Sequence, residues 1–373
     1  MNTNKSILSL ALAVLLALPL AVSARVPKRI YLEKTRVACV GNSITYGMTL
    51  ADPATESYPA QLQQMLGDGY EVGNFGKSGA TLLRHGHRPY VEQEEWAKAK
   101  AFKGDIAVIH LGVNDTDPRN WPFYRDEFVS DYLALIDTLR QQNPKCRVLV
   151  ALLSPITHNH PRFESGTQQW HEEIQEAIKT VARVGKAQLI DFHKPLYAYP
   201  QLLPDAVHPN KEGATMLART VCAAILGNYG GLQMPMTYSD NMVLQRDREL
   251  TIHGTANSGE RVTVSITRPD AAKGKSANGA KRKKGKQPMR VRALKTEVQT
   301  ATAKADINGY WQVTLRPQRA ENGLTLTVST DEKELIYNNV AFGEVWLCSG
   351  QSNMEFMPVS YTHLRAHETS LHL

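Results

Sequence analysis

Arg36-Val-Ala-Cys-Val-Gly-Asn-Ser-Ile-Thr-Tyr-Gly47 is the stretch that decides the fold. Residues 37–40 form a short apolar run bounded by glycine, the pattern of a buried strand. The run stops at Gly41, and Ser43 follows before the sequence turns polar. A serine just past the carboxyl end of a central strand stands at the rim of an α/β sheet, where ligands bind. Gly41 is expected to let the backbone turn sharply there, so that the hydroxyl points outward. Gly-x-Ser also suits an ordinary strand-ending turn, so its meaning depends on what surrounds it.

From residue 36 to about residue 228, strand-like apolar runs alternate with helical patterns. Residues 106–111 (Ile-Ala-Val-Ile-His-Leu) and 147–153 (Arg-Val-Leu-Val-Ala-Leu-Leu) read as buried strands, and residues 187–191 as a shorter one. Amphipathic helical spacing covers residues 58–66, 123–142, 168–184 and about 211–226. Alternation of this length predicts a three-layer α/β domain with a mostly parallel sheet, over residues 30–228.

The polar residues at the strand ends then fall into a set. Asn74-Phe-Gly-Lys-Ser-Gly79-Ala-Thr81 carries two glycines suited to a loop that presents backbone N–H groups. The strand from Ile106 runs into Gly112-Val-Asn114-Asp115, and Asp205-Ala-Val-His208-Pro209 precedes the last helix. Taken singly, these are a turn, a helix cap and a surface histidine. Taken together they meet the needs of ester hydrolysis. Ser43 is a poor nucleophile until a base takes its proton, and His208 is the residue type for that task. Asp205 can accept from the other ring nitrogen and fix the tautomer. The N–H groups of Ser43 and Gly79 and the Asn114 side chain would serve as oxyanion donors. This chemistry calls for no metal and no organic cofactor.

These four motifs, in this order, resemble the SGNH (GDSL-type) hydrolases, named for their Ser, Gly, Asn and His. The resemblance covers roughly residues 30–228. It implies that Ser43 is the nucleophile, that Gly79 and Asn114 complete the oxyanion hole, and that Asp205 and His208 finish the triad. Asn42 departs from the pattern, since the family most often has Asp there.

A second region, residues 231–341, alternates with period two at residues 262–267, 311–315 and 324–328. Turn signals stand at Asn257-Ser-Gly-Glu260, Asp306-Ile-Asn-Gly309 and Glu321-Asn-Gly323. This predicts an all-β sandwich. Residues 269–289 interrupt it with Lys, Gly, Ala and Ser, as a solvated hairpin insertion would. The formal charge of +7 is local to this part of the chain: residues 271–295 hold ten Lys and Arg and no acid, leaving −3 for the remainder. Without interleaved aromatics to stack bases, the run is not read as a nucleic-acid site.

Val345-Trp-Leu-Cys348-Ser-Gly350-Gln-Ser352-Asn repeats the strand, Cys-x-Gly-x-Ser form of the opening stretch. The sandwich followed by Gly350-Gln-Ser-Asn-Met354 resembles sialate O-acetylesterases, in which this serine opens a further SGNH-like domain. Residues 342–358 are therefore expected to be the truncated start of such a domain. Only 21 residues follow Ser352, so it is expected to be inert; residues 359–373 are expected to be a spurious tail.

At the other end, Lys5, the apolar residues 7–20 and Val22-Ser-Ala24 form a secretory signal peptide, residues 1–24, which implies export to the periplasm or the outside. No later run is long and apolar enough to span a bilayer. Four scattered cysteines give neither a disulfide scaffold nor metal-site spacing, and read as free thiols. These resemblances imply an exported serine esterase of O-acetylated sugars; sialate as the first substrate rests on the likeness of the accompanying domains alone, with acetyl-xylan or another plant glycan as its rival. A GDSL-type lipase or thioesterase, or a glycan-binding protein with a passive hydrolase-like domain, are the alternatives. Aromatic residues make up only 7% of the chain, which favours a small acyl pocket.

Overall fold

The computed structural model describes residues 33–157, 167–268 and 297–347. The expected signal peptide, the basic insertion 269–289 and the Ser352 motif lie outside the described residues.

Five strands form one parallel sheet: β1 (Thr35–Gly41), β2 (Tyr70–Gly76), β3 (Ile106–His110), β4 (Arg147–Leu152) and β5 (Gln188–Asp191), in the order β2-β1-β3-β4-β5. The opening stretch thus supplies a central strand, paired with β2 on one side and β3 on the other. Its apolar run is buried, with Val37, Cys39 and Val40 at 0% exposure, as expected of a strand covered on both faces.

The helices are α1 (Ser43–Tyr46), α2 (Pro53–Glu56), α3 (Tyr58–Leu66), α4 (Glu94–Phe102), α5 (Trp121–Tyr124), α6 (Phe128–Gln142), α7 (Thr167–Val184), α8 (Lys194–Tyr197) and α9 (Lys211–Leu226). Strand order sorts them into layers. The chain steps one way from β1 to β2 and the other way through β3, β4 and β5. Right-handed crossovers therefore send α3 to one face of the sheet and α4, α6 and α7 to the other. The packing agrees: α3 lies against α9, while α6 touches both α4 and α7. The helix expected over residues 123–142 is broken into α5, a 3-10 turn at Arg125–Glu127, and α6. α7 buries Ile174, Ile178 and Val181, one stripe at helical spacing. α9 is capped by Asn210, whose side chain accepts from the Gly213 N–H at 2.9 Å.

Because the connections after β1 and β3 leave toward opposite faces, a crevice opens between the carboxyl ends of these neighbours. That switch point lies beside the opening serine.

The β-rich region follows. Strands β7 (Leu250–Thr255) and β10 (Tyr310–Leu315) form an antiparallel pair. β6 (Val243–Gln245), β12 (Glu334–Gly343), β11 (Glu321–Ser329), β8 (Arg261–Thr267) and β9 (Glu297–Lys304) form a second sheet in that order. This sheet is mixed, since β6 pairs parallel with β12. Ile252, Trp311 and Val313 of the first sheet share one apolar core with Val264, Leu326 and Val340 of the second. Glu321-Asn-Gly323 is not a turn between strands. It opens β11, where the register with β12 shifts between Glu321 and Leu324. A bulge accommodates Asn and Gly as readily as a turn does.

Among the described residues, no helix is long and apolar enough to cross a membrane. Cys39, Cys146 and Cys222 are free thiols, and burial pushes Cys39 up to about 12.

Candidate active site

All four strand-end motifs converge on the carboxyl rim. Ser43 follows β1 and opens α1, whose first free N–H is capped by Asn42: its side chain accepts from the Ile44 N–H at 3.0 Å. Gly41 is needed for space, not for the turn expected of it. It is still inside β1, and a Cβ there would lie 2.0 Å from Thr45 Oγ1 and 2.9 Å from the His110 carbonyl oxygen. Among the described residues, the buried amide nitrogen of Asn42 finds no partner.

His208 reaches Ser43 from the far end of the domain, with Nε2 at 2.8 Å from the serine Oγ. Its Nδ1 lies 2.6 Å from Asp205 Oδ2. With Nδ1–H donating to the carboxylate, Nε2 keeps its lone pair for the serine proton. Asp205 Oδ1 accepts from the backbone N–H groups of His208 at 2.7 Å and Val207 at 3.1 Å. Burial pushes the Asp205 carboxyl up, but these N–H groups and the His208 ring outweigh it and hold the group below its usual range. The Asp205–His208 loop is itself under tension. Ala206 sits at φ +71°, fixed by an N–H bond to Leu203 and by the Thr157 N–H donating to its carbonyl at 2.8 Å. An alanine in this region costs roughly 1–2 kcal/mol.

Gly79, in the loop after β2, has φ +77°, a conformation that excludes most side chains. Asn114 lies in the 3-10 turn Val113–Thr116 after β3. One of its amide hydrogens goes to the Ala80 carbonyl at 2.9 Å, so the two loops are joined and a second hydrogen remains. Among the described residues, the fold's backbone hydrogen bonds do not use the N–H groups of Ser43 and Gly79. A cleft of about 330 Å³ is lined by Ser43, Gly79, Asn114 and His208, with Met48 and Val113 among its apolar walls. Every residue expected at the site is thus brought together, Asp205 standing just behind His208. The arrangement can deprotonate a serine hydroxyl and offer donors to an oxyanion.

Sequence reasoning missed the residues that hold these groups in place. Asp115 is fully buried, and its two oxygens accept from the Leu83 N–H at 2.8 Å and the Leu82 N–H at 2.9 Å. Burial pushes this carboxyl up to about 6 despite those bonds. Asn120 donates to the Asn114 carbonyl at 2.9 Å and accepts from the His87 N–H. Asp115 follows Asn114 directly, but nothing in a lone acidic residue signals a tie to a loop some thirty positions earlier. Arg88 also lines the cleft, and a Cβ on Gly79 would lie 3.3 Å from its Nη1.

Residues 39–216 match the GDSL-like Lipase/Acylhydrolase family. The chain is 38% identical to an acetylxylan esterase of Xylanibacter ruminicola over 209 residues, 52% of this chain and 43% of that protein. It therefore spans less than half the length of that curated relative. A carbohydrate acetylesterase from Xanthomonas citri has a solved structure that is 30% identical, with a TM-score of 0.24, over 34% of this chain and 22% of that one. A carbohydrate acetylesterase from Sinorhizobium meliloti is 20% identical, with a TM-score of 0.41, over 52% of this chain and 99% of that one.

Proposed function

We propose that the α/β domain, whose residues 39–216 match the GDSL-like Lipase/Acylhydrolase family, is a carboxylic-ester hydrolase, and that the protein is an exported acetylesterase of O-acetylated carbohydrate. The carrying observation is the hydrogen-bonded chain Ser43–His208–Asp205, at 2.8 and 2.6 Å. In this reading His208 Nε2 takes the proton as Ser43 Oγ attacks the acetyl carbonyl carbon. The oxyanion is met by the N–H groups of Ser43 and Gly79 and by the free amide hydrogen of Asn114. The carbon–oxygen bond to the sugar then breaks, with His208 returning its proton to the sugar oxygen. Water, deprotonated by the same nitrogen, releases acetate from the acetyl-serine. Asp205 stabilises the imidazolium and fixes the ring.

The cleft's modest volume and its short apolar walls, Met48, Val113 and Ile156, support a small acyl group. Acetylated xylan is the first substrate in this reading, supported by the 38%-identical acetylxylan esterase. Acetylated sialate is the second, supported by the resemblance of the β-rich region and the Ser352 motif to sialate O-acetylesterases. The test is acetate release from acetyl-xylan, 9-O-acetylated sialic acid and aryl esters of increasing chain length. Acetyl esters should turn over faster than octanoyl esters, and acetyl-xylan faster than the sialate. A clear octanoyl preference would replace this reading with a lipase or thioesterase.

A further inference from the structure

The domain carries a second depression, at about 400 Å³ larger than the cleft that holds Ser43. It lies between α7 and the segment that leaves β5, and the chemistry described so far does not use it. One wall is aromatic. His193 and Tyr197 stack at 5.0 Å between ring centroids and 24° between planes. Tyr197 is nonetheless 70% exposed. A large ring held flat and left open to solvent differs from a loose surface tyrosine, whose ring has no fixed plane. The opposite wall is polar, with Gln168 and Glu172 of α7 facing the groove and Asp191 at its base. Asp191 already accepts from the His193 N–H at 2.8 Å and the Lys194 N–H at 2.9 Å, which fixes the start of the aromatic wall.

Two features join this groove to the catalytic cleft. Ile156 lines both, and also an adjoining depression of about 320 Å³ bounded by Tyr197 and Pro200. The Thr157 N–H, next to Ile156, donates to the Ala206 carbonyl between Asp205 and His208. The residue that follows the groove's Ile156 is therefore hydrogen-bonded to the loop that carries Asp205 and His208.

We propose that this groove is a glycan subsite, in which the stacked His193–Tyr197 face and the polar α7 wall hold unacetylated xylose units of the chain whose acetylated unit lies at Ser43. A pyranose offers a flat C–H face and a rim of hydroxyls, and the groove offers an aromatic face with donors and acceptors around it. The assignment of xylose rests on the carbohydrate-esterase reading above, whereas occupancy of the groove can be measured without any ester chemistry.

The decisive measurement is calorimetric titration of the whole protein with xylohexaose, which carries no acetyl group. Saturable binding is expected, weakened about fivefold or more in Tyr197→Ala and retained within about twofold in Tyr197→Phe, which keeps the ring. Because Tyr197 is largely exposed, the alanine variant should keep its melting temperature. In parallel, the ratio of kcat/KM on acetyl-xylan to kcat/KM on an aryl acetate should fall about tenfold in Tyr197→Ala, chiefly through KM. Absence of xylohexaose binding, or equal affinity in wild type and Tyr197→Ala, overturns the subsite. Xylohexaose binding without acetate release from any acetylated sugar would instead overturn the esterase reading and leave the subsite standing.

Discussion

The two halves of the described chain solve burial differently. In the β-rich region, Gln299 is the one polar side chain that is buried among the described residues, and the rest of the core is aliphatic or aromatic. In the α/β domain, Asn42, Ser43, Thr81, Asp115, Asn120, His110, Ser154 and His171 are all buried, and they cluster where strands end. Burying a polar group is costly unless it is hydrogen-bonded, so such clusters persist where something other than stability is selected. The rim of the parallel sheet bears that cost to fix positions. Among the described residues of the β-rich region, no comparable cluster of buried polar side chains is found.

Substitutions that break one half should therefore read out as rate, and in the other half as stability. The largest effect is expected at Ser43→Ala, with a loss in kcat of roughly 10⁵–10⁶-fold on an acetyl ester and an unchanged melting temperature. His208→Ala should cost about as much, and Asp205→Ala less, about 10⁴-fold, because the base remains without its anchor. If Ser43→Ala keeps most activity while Ser352→Ala loses it, the site has been placed on the wrong serine. Asn114→Ala removes one oxyanion donor and should lower kcat roughly 10²–10³-fold. A drop confined to KM would mean that Asn114 binds substrate without meeting the oxyanion. On the other side of the comparison, Leu326→Ala empties a fully buried position in the β-rich core. It should cost about 2–5 kcal/mol in denaturant unfolding and leave kcat on an aryl acetate within about twofold.

The smallest effect concerns pH. Burial lowers His110 to about 3 and His171 to about 4, from the ordinary value of 6.5. The unfolded chain then binds more protons than the native one below pH 6.5, so stability falls as pH drops from 6.5 toward those values. Asp115 works the other way: with its native value raised to about 6 from 3.8, it favours the native state as pH drops through that window. The two histidine shifts are together larger, so these three groups taken together favour acid destabilisation. His171 Nε2 lies 3.0 Å from the Ser154 carbonyl oxygen, and His171→Gln retains a donor there without the titration. A melting temperature measured from pH 7 to 4.5 should fall less steeply in that variant, and equal slopes would refute the assignment.

Much of this was legible in the sequence because strand ends announce themselves. Ser43, Gly79 and Asn114 each follow an apolar run or a glycine pair that fixes where a strand stops, and Asp205 and His208 stand just before a periodic helix. The groove was not legible. His193 and Tyr197 sit between β5 and α9 in a stretch without periodicity, and their stacking depends on where Asp191 pins the backbone. Nor could the role of Gly41 be read: its neighbours Thr45 and His110 approach only once β1 and β3 have paired. Residues 123–142 kept a helical pattern across a break that a pattern does not register.

The contact between His208 and Ser43 bridges 165 positions of chain. It has a consequence for the order of events during synthesis. A nascent chain that has exposed only its opening strands already displays the serine, with no base near it. The histidine is brought up when α9 docks on α3, where the Gln61 amide donates to the Lys211 carbonyl and the Thr215 hydroxyl to Gln61 Oε1. Contacts of such sequence separation form late, after loop closure has been achieved. On the reading proposed above, Ser43 would lack its base until the last helix of the domain has docked, so esterase activity would mark the completed domain and not a fragment of it.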